Sequence, residues 1–115
     1  MTYEKNVVSG NTTMLILKLL EGQDMYGYQI IDEILKKSGN TFNLKTGTLY
    51  PIMHGLEKDG MVTSYDETAE SGRARKYYRL TNKGKALLLK KESEWKLYVN
   101  AVNRLMSGGE VNAFG

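Results

Sequence analysis

The segment LKTGTLYPIMHGLEKDGMVTSYDETAESGRARKYYRLTNKG, residues 44–84, carries most of the information about the fold of this 115-residue chain. Its first part places apolar residues at the i, i+3, i+4 and i+7 spacing of one helix face, which predicts a helix over residues 46–58. An Asp-Gly pair ends this helix, and the β-rich runs 61–65 and 77–80 predict the two strands of a hairpin. The polar tip between these runs carries the cations Arg73, Arg75 and Lys76.

Two further helices are predicted before this segment. The first begins near residues 11–13, Asn-Thr-Thr, whose side chains are typical N-caps, and it ends at Gly22. Its apolar residues cover more than one face, which indicates burial on two sides. The second runs from residue 26 to residue 37 with an apolar stripe on one side. The alternation of Phe42 and Leu44 with polar residues is compatible with a very short strand.

A fourth helix is predicted from residue 82 to about residue 106, with Thr81 or Asn82 as its N-cap. A helix of that length extends for roughly 37 Å, which is more than a small domain needs. Its apolar residues form an a/d-like stripe, which indicates packing against a partner helix. The residues predicted for this dimer interface are Leu88, Trp95, Val99, Val102 and Met106.

The order of the elements, in which helices are followed by a hairpin with a basic tip, is typical of a winged helix-turn-helix. We therefore predict an α+β fold, mostly α, that ends in a long C-terminal dimerisation helix. Residues 1–81 form the winged-helix DNA-binding domain, whose N-terminal helix also joins the dimer interface. Residues 82–106 form the dimerisation helix, and the glycine-rich residues 107–115 are expected to be a disordered tail.

The composition excludes several classes of protein. The hydrophobic content of 41% and the charged content of 25% are typical of soluble globular domains. No apolar run is long enough to span a bilayer and the N-terminus lacks a signal-peptide layout, so a cytoplasmic location is expected. Cysteine is absent and His54 is the single histidine. Because the chain offers neither a catalytic relay nor a zinc site, we predict no enzyme activity, no metal and no cofactor.

The charge is concentrated in one part of the chain. Ten Lys/Arg and five Asp/Glu between residues 45 and 91 give a local charge of +5, while six and eight elsewhere give −2, for a net +3. A basic segment suits a surface that faces phosphates, although a polar helix face and a solvated hairpin tip are the plainer alternatives. The helix and the hairpin together favour DNA. The predicted DNA-contact residues are Thr46, Thr48, Tyr50, Pro51, His54, Lys58, Arg73, Arg75 and Lys76.

Trp95 is the only tryptophan and lies in the middle of the fourth helix. One interpretation is an interface anchor, since tryptophan is enriched at protein interfaces. The other is a stacking surface for a flat aromatic effector in a cavity of the dimer. The sequence favours the anchor. The residues of the effector interpretation are Trp95, Leu88, Val99 and Met14.

Three sequence blocks carry a family resemblance: TMLILKLLEGQDMYGYQI (13–30), GTLYPIMHGLEKDGMV (47–62) and SGRARKYYRLTNKG (71–84). In order and spacing they resemble the motifs of the PadR family of bacterial transcriptional regulators, and the single C-terminal helix is similar to the short, LmrR-like class. The resemblance implies a homodimer that binds a palindromic double-stranded DNA operator as a repressor, relieved in some members by small planar aromatic or drug-like effectors.

The same resemblance implies roles for individual positions. Residues 48–51 match the recognition-helix signature, and Gly72, Arg73, Arg75 and Lys76 match the wing. Trp95 falls where LmrR-like proteins place the tryptophan that stacks on planar drugs between the subunits. The alternative from another class is a winged-helix module that binds proteins and has no specific DNA-binding role.

Overall fold

Four helices and three strands form the fold. The computed structural model describes the backbone of residues 5–108 and the side chains from residue 11 onward; the rest of the predicted tail, residues 109–115, lies outside the described residues. The elements are α1 (Lys5–Gly22), β1 (Met25–Tyr26), α2 (Gly27–Lys37), α3 (Thr46–Lys58), β2 (Val62–Thr68), β3 (Ala74–Leu80) and α4 (Asn82–Met106). This order confirms the predicted class, a mostly α winged helix that ends in a long helix.

One apolar core joins the helices to the inner face of the sheet. Each helix contributes residues that are completely buried, such as Ile16 of α1, Ile30 of α2, Leu49 of α3 and Leu88 of α4. Burial of one such side chain contributes about 1.5–3 kcal/mol, so this cluster holds the four helices together. The buried residues of α3 recur with the helix period and all face this core. The opposite face of α3 is therefore left for other contacts.

The three strands form an antiparallel sheet in the order β1-β3-β2. Tyr77 of β3 lies between Tyr26 of β1 and Tyr65 of β2 in the strand register. Because side chains alternate along a strand, these three tyrosines share one face of the sheet, while Tyr78 and Leu80 point to the other face and are buried in the core. The outer face of the sheet thus carries a row of aromatic rings.

The short strand predicted around Phe42 and Leu44 is wrong. Residues 41–45 have no regular structure, and the partner of the hairpin is instead β1, Met25–Tyr26. Although Leu44 is buried, it is held in a loop in which the Phe42 N–H donates to the Ser38 hydroxyl at 2.9 Å. A strand of two residues is too short to show a periodicity, and its pairing partner lies some fifty residues away in the sequence.

The hairpin is longer than predicted. Its strands extend outward beyond the predicted 61–65 and 77–80, so Arg75 and Lys76 lie on β3 and only Arg73 remains at the tip. The tip is closed by a hydrogen bond of 2.8 Å from the Ala69 N–H to the Arg73 carbonyl, and Gly72 adopts a φ of +86°. The outer residues of these strands are mostly polar, so no hydrophobic pattern in the sequence marks them as strand. The backbone hydrogen bonds of the hairpin nevertheless continue through them.

Helix α1 begins earlier than predicted. It is helical from Lys5, so residues 11–13 are inside it and are not its N-caps. Thr12 is only 1% exposed and lies on the same side as Ile16, one turn further along. Helix periodicity places the Thr12 side chain in the core instead of at a helix end. The helix therefore continues on the N-terminal side of the polar Asn-Thr-Thr run.

The junction between the hairpin and α4 is tight. Of the two residues predicted as cap, Thr81 or Asn82, the cap is Thr81, because its hydroxyl accepts the Gly84 N–H at 3.0 Å, and that hydroxyl also contacts the Gly60 carbonyl at 2.7 Å. A Cβ on Gly84 would overlap the Met61 carbonyl oxygen and the Leu80 side chain. The first turn of α4 therefore rests directly on the backbone that enters β2.

Gly84→Ala is expected to destabilise the fold by about 1–3 kcal/mol, since overpacking against a backbone atom cannot be relieved by a rotamer change. Gly55→Ala is the matched control: Gly55 is also inside a helix, and its Cβ would meet nothing within 4 Å. That change is expected to stabilise by about 0.5–1 kcal/mol. Urea unfolding of both variants measures the difference, and equal effects would contradict the close packing.

Candidate nucleic-acid interface

A groove of about 730 Å³ lies between α3, the start of α2 and strand β3. Its floor and walls are polar and aromatic. The lining residues are Tyr26, Gly27, Tyr28, Tyr50, His54, Glu57, Arg73, Ala74, Arg75, Lys76 and Tyr78. The groove thus brings the exposed face of α3 and the wing together on one side of the molecule.

The α3 residues predicted to contact DNA do not all face this groove. Thr46, Tyr50, His54 and Lys58 are exposed and follow one another at intervals of four, but only Tyr50 and His54 line the groove. Lys58 is the last residue of α3, Pro51 is exposed outside the lining, and Thr48 is half-buried. The N-cap Lys45 makes no side-chain hydrogen bond to the first turn of the helix.

Tyr50 is held in place by the start of α2. Its ring and hydroxyl lie so close to Gly27 that a Cβ at that position would overlap them. The side chain is nevertheless 40% exposed, so one part of the ring is packed and another faces the groove. A tyrosine fixed in this way presents the exposed part of its ring at low entropic cost to any ligand of the groove.

The three wing cations are in different environments. Arg73 is exposed at the tip and forms no ion pair with any of the described residues. The Arg75 guanidinium lies 4.4 Å from the centroid of the Tyr26 ring. The Lys76 ammonium is 3.4 Å from the Glu57 carboxylate, which partly neutralises it. The positive charge available to a phosphate is therefore mainly that of the two arginines.

Glu57 is the one carboxylate among the groove-lining residues. The Ser64 hydroxyl donates to it and Lys76 lies beside it, and these two contacts hold the pKa of Glu57 below its usual range although partial desolvation opposes them. Because this pKa is depressed in the folded state, the stabilisation is present at neutral pH and is lost as the pH falls through the folded-state pKa. The side chain is 35% exposed, so solvent screening keeps this contribution small.

Two aromatic residues of the groove were missed in the sequence. Tyr26 and Tyr28 flank Gly27 at the start of α2, and Tyr28 is 65% exposed. A signal was present, because Tyr28 lies off the centre of the apolar stripe that Ile30 and Ile34 define on this helix. A large aromatic residue outside the buried stripe indicates a contact surface.

Helix α4 carries the residues predicted for dimerisation and for effector binding. Trp95 is 43% exposed and Met106 80% exposed, while Val99 and Val102 are half-buried. Leu88 needs correction: it is 0% exposed within the core of the single chain, because the first turns of α4 pack against the body of the domain. It has no surface to offer a partner or an effector in this conformation. Met14 is half-buried against the core.

The outer half of α4 exposes more apolar surface than the sequence indicated. Three further large side chains are well exposed there: Leu97 (70%), Tyr98 (69%) and Leu105 (81%). Tyr98 and Leu105 are seven residues apart and extend the stripe of Trp95 and Val102, whereas Leu97 lies on the other side of the helix. A continuous apolar stripe of this extent is typical of an interaction surface.

Comparison with known proteins decides the family. Residues 16–90 match the model of the transcriptional regulator PadR-like family. The chain belongs to this family. Its members and relatives are transcriptional regulators rather than enzymes. DNA-binding regulation is thereby supported for this PadR-like protein, as the resemblance of its three motif blocks implied.

Relatives of this PadR-like chain match along most of its length. The transcriptional regulator Rv3488 of Mycobacterium tuberculosis is 31% identical over 100 residues, which cover 87% of this chain and 86% of that protein. A transcriptional regulator from Clostridium thermocellum superposes with a TM-score of 0.81 at 34% identity and covers 90% of this chain and 97% of that one. A PadR family regulator from Clostridium difficile gives a TM-score of 0.73 at 33% identity, with coverage of 84% and 98%.

Among residues 5–108, no helix combines the length and the apolar character that a membrane span requires.

Proposed function

We propose that this PadR-like regulator is a homodimeric repressor that binds a palindromic DNA operator through α3 and the β2–β3 wing. The observation that carries the proposal is the groove in which Tyr50 and His54 of α3 face Arg73 and Arg75 of the wing. Such a groove offers hydrogen-bond donors beside two cations whose charge no carboxylate neutralises. That combination suits a nucleic-acid backbone and the adjacent base edges.

Each part of this surface has a distinct role in the proposal. Helix α3 enters the major groove, where Tyr50 and His54 set the register and contact phosphates or base edges. Thr46 and Lys58 lie at the two ends of the same helix face and contact the DNA phosphate backbone on either side of the major groove. The wing supplies attraction to phosphates that is independent of sequence, through Arg73 and Arg75. The ion pair with Glu57 gives Lys76 a smaller part in this attraction.

Dimerisation in this proposal uses the outer half of α4. The side chains of one stripe of α4 belong to Trp95, Val102 and Met106, and Met106 is 80% exposed in the single chain. Covering this stripe with the same stripe of a second chain gives an isologous interface. Two α3 helices related by the resulting two-fold axis then read half-sites roughly 34–36 Å apart, one turn of the double helix.

The proposal is tested by selecting fragments from a random-sequence DNA pool with the purified protein. Selected fragments are expected to share an inverted repeat with one helical turn between half-sites, and a representative fragment is expected to give an electrophoretic shift that survives excess random DNA. A protein-binding module would select no motif. Recovery of single half-sites without a repeat would contradict the homodimer.

Relief of repression is proposed to use the surroundings of Trp95. The indole is partly exposed and is the only tryptophan, so its fluorescence reports on this position alone. A planar dye that stacks in a cavity between two α4 helices, lined by Val99 and by Met14 of helix α1, is expected to quench it in a saturable way. If the indole packs tightly against the partner helix, the titration shows no saturable quenching and the effector role fails.

A further inference from the structure

The outer face of the sheet holds a continuous stack of rings and guanidinium groups. Tyr26 meets Tyr77 edge to face at 5.4 Å between centroids, and Tyr77 stacks on Tyr65 at 5.7 Å. An arginine closes each end: Arg75 lies 4.4 Å from the Tyr26 centroid and Arg79 lies 5.1 Å from the Tyr65 centroid. The three strands of the sheet thus share one ladder of side chains.

The end of the stack at Arg79 is anchored by a carboxylate. Asp24, in the turn after α1, accepts the Tyr65 hydroxyl at 2.7 Å and pairs with the Arg79 guanidinium at 3.1 Å. The charge of Arg79 is therefore neutralised, and the same hydrogen bond raises the pKa of Tyr65. At the other end the guanidinium of Arg75 has only a ring beneath it, and it lines the groove.

Arg75 has a competing partner within reach. Glu67 stands directly opposite it in the β2–β3 register, and both side chains emerge on the same face of the sheet. Directly opposed residues have Cβ atoms about 4.5–5.5 Å apart, so an Arg–Glu pair is sterically available. The ion pairs of the described residues do not include this one, because the guanidinium is turned toward Tyr26 instead.

We infer that Tyr26 is a positioning residue for DNA binding: its ring holds Arg75 over the groove and away from Glu67. The inference rests on the proposed DNA-binding function and names the residue that keeps one wing cation available. A ring attracts a guanidinium without removing its net charge, whereas a carboxylate neutralises it. Arg75 is thus held in place and remains fully charged toward a phosphate, in contrast to Arg79 and Lys76.

The test uses a duplex selected by the purified protein from a random-sequence pool and measures affinity by fluorescence anisotropy. Tyr26→Leu is expected to weaken binding by about fivefold for each DNA-binding head, the equivalent of a cation–π contact of about 1 kcal/mol, and hence about 25-fold for a dimer on two half-sites. Tyr26→Phe keeps the ring and is expected to restore most of this loss.

Two double variants separate positioning from a structural role. Adding Tyr26→Leu to Arg75→Gln is expected to cause no further loss of affinity, since the residue to be positioned is already absent. Glu67→Gln is expected to recover more affinity in the Tyr26→Leu protein than in the natural one, because it removes the carboxylate that captures Arg75. Thermal unfolding of each variant checks that the fold is kept.

Several results would overturn the inference. One is a Tyr26→Leu loss of the same size with and without Arg75, and another is an equal gain from Glu67→Gln in both backgrounds. An Arg75→Gln protein that binds as tightly as the natural one would show that Arg75 makes no contact. A natural protein that selects no duplex would instead refute the proposed function itself, so the two failures are distinguishable.

Discussion

Replacing Arg73 and Arg75 together by glutamine is expected to weaken binding to all DNA sequences alike, by about 10² to 10³-fold at physiological salt. The two arginines are the wing cations that no carboxylate of the described residues neutralises, so their removal deletes contacts to the phosphate backbone. Each lost contact reduces the magnitude of the negative slope of log K against log salt by about one unit, which gives about four units for a dimer with two wings.

The measurement is a salt titration of anisotropy with a selected duplex and with random DNA. Lys85→Gln with Lys90→Gln is the control, because it removes the same charge from exposed positions of α4 that do not line the groove. The control is expected to change the slope by much less than the arginine variant. A slope that stays the same after loss of both arginines would exclude the wing from the DNA contact.

Trp95→Ala is expected to convert the proposed dimer into a monomer at micromolar concentration. Truncation of an interface tryptophan costs about 2 kcal/mol or more, and in an isologous interface the change occurs twice. A total of about 4 kcal/mol raises the dimer dissociation constant by about a thousandfold. Because Trp95 is 43% exposed in the single chain, its removal leaves the core of the domain intact.

Sedimentation equilibrium over a range of concentrations measures this effect. Leu97→Ala is the matched control: Leu97 is also a large apolar residue of α4, it is 70% exposed, and it lies on the other side of the helix. It is expected to leave the dissociation constant unchanged within a few-fold. Equal weakening by both substitutions, or a Trp95→Ala protein that remains dimeric, would refute the proposed interface.

Local signals in the sequence were sufficient for α3 and α4, although the start of α1 was misplaced. The bounds of α3 were predicted without error, because an apolar stripe and a helix-ending Asp-Gly pair both lie within one short segment. The cap Thr81 and the extent of α4 were likewise predicted from adjacent residues. Helix periodicity and capping depend on neighbours three or four residues apart, which a single sequence shows directly.

Contacts between distant residues were not accessible in this way. The strand Met25–Tyr26 and the placement of Arg75 over Tyr26 both arise from pairing across the sheet, between residues some fifty positions apart. The burial of Leu88 has a similar origin, because α1 and the sheet decide how much of α4 is covered. Heptad spacing showed that α4 has an apolar face, but not where along the helix the intramolecular core ends.

The tight junction at the start of α4 has a mechanical consequence. Since Thr81 is hydrogen-bonded to Gly60 and Gly84 rests on the Met61 carbonyl, we expect the start of α4 and the base of the hairpin to move as one rigid unit. In the proposed dimer this unit pivots where the two α4 helices cross, and the wing tips lie at its end away from the pivot. A change of a few degrees in that crossing angle then displaces the two α3 helices and their wings by ångströms. Such a displacement is enough to lose the match to half-sites that lie one turn of the DNA apart.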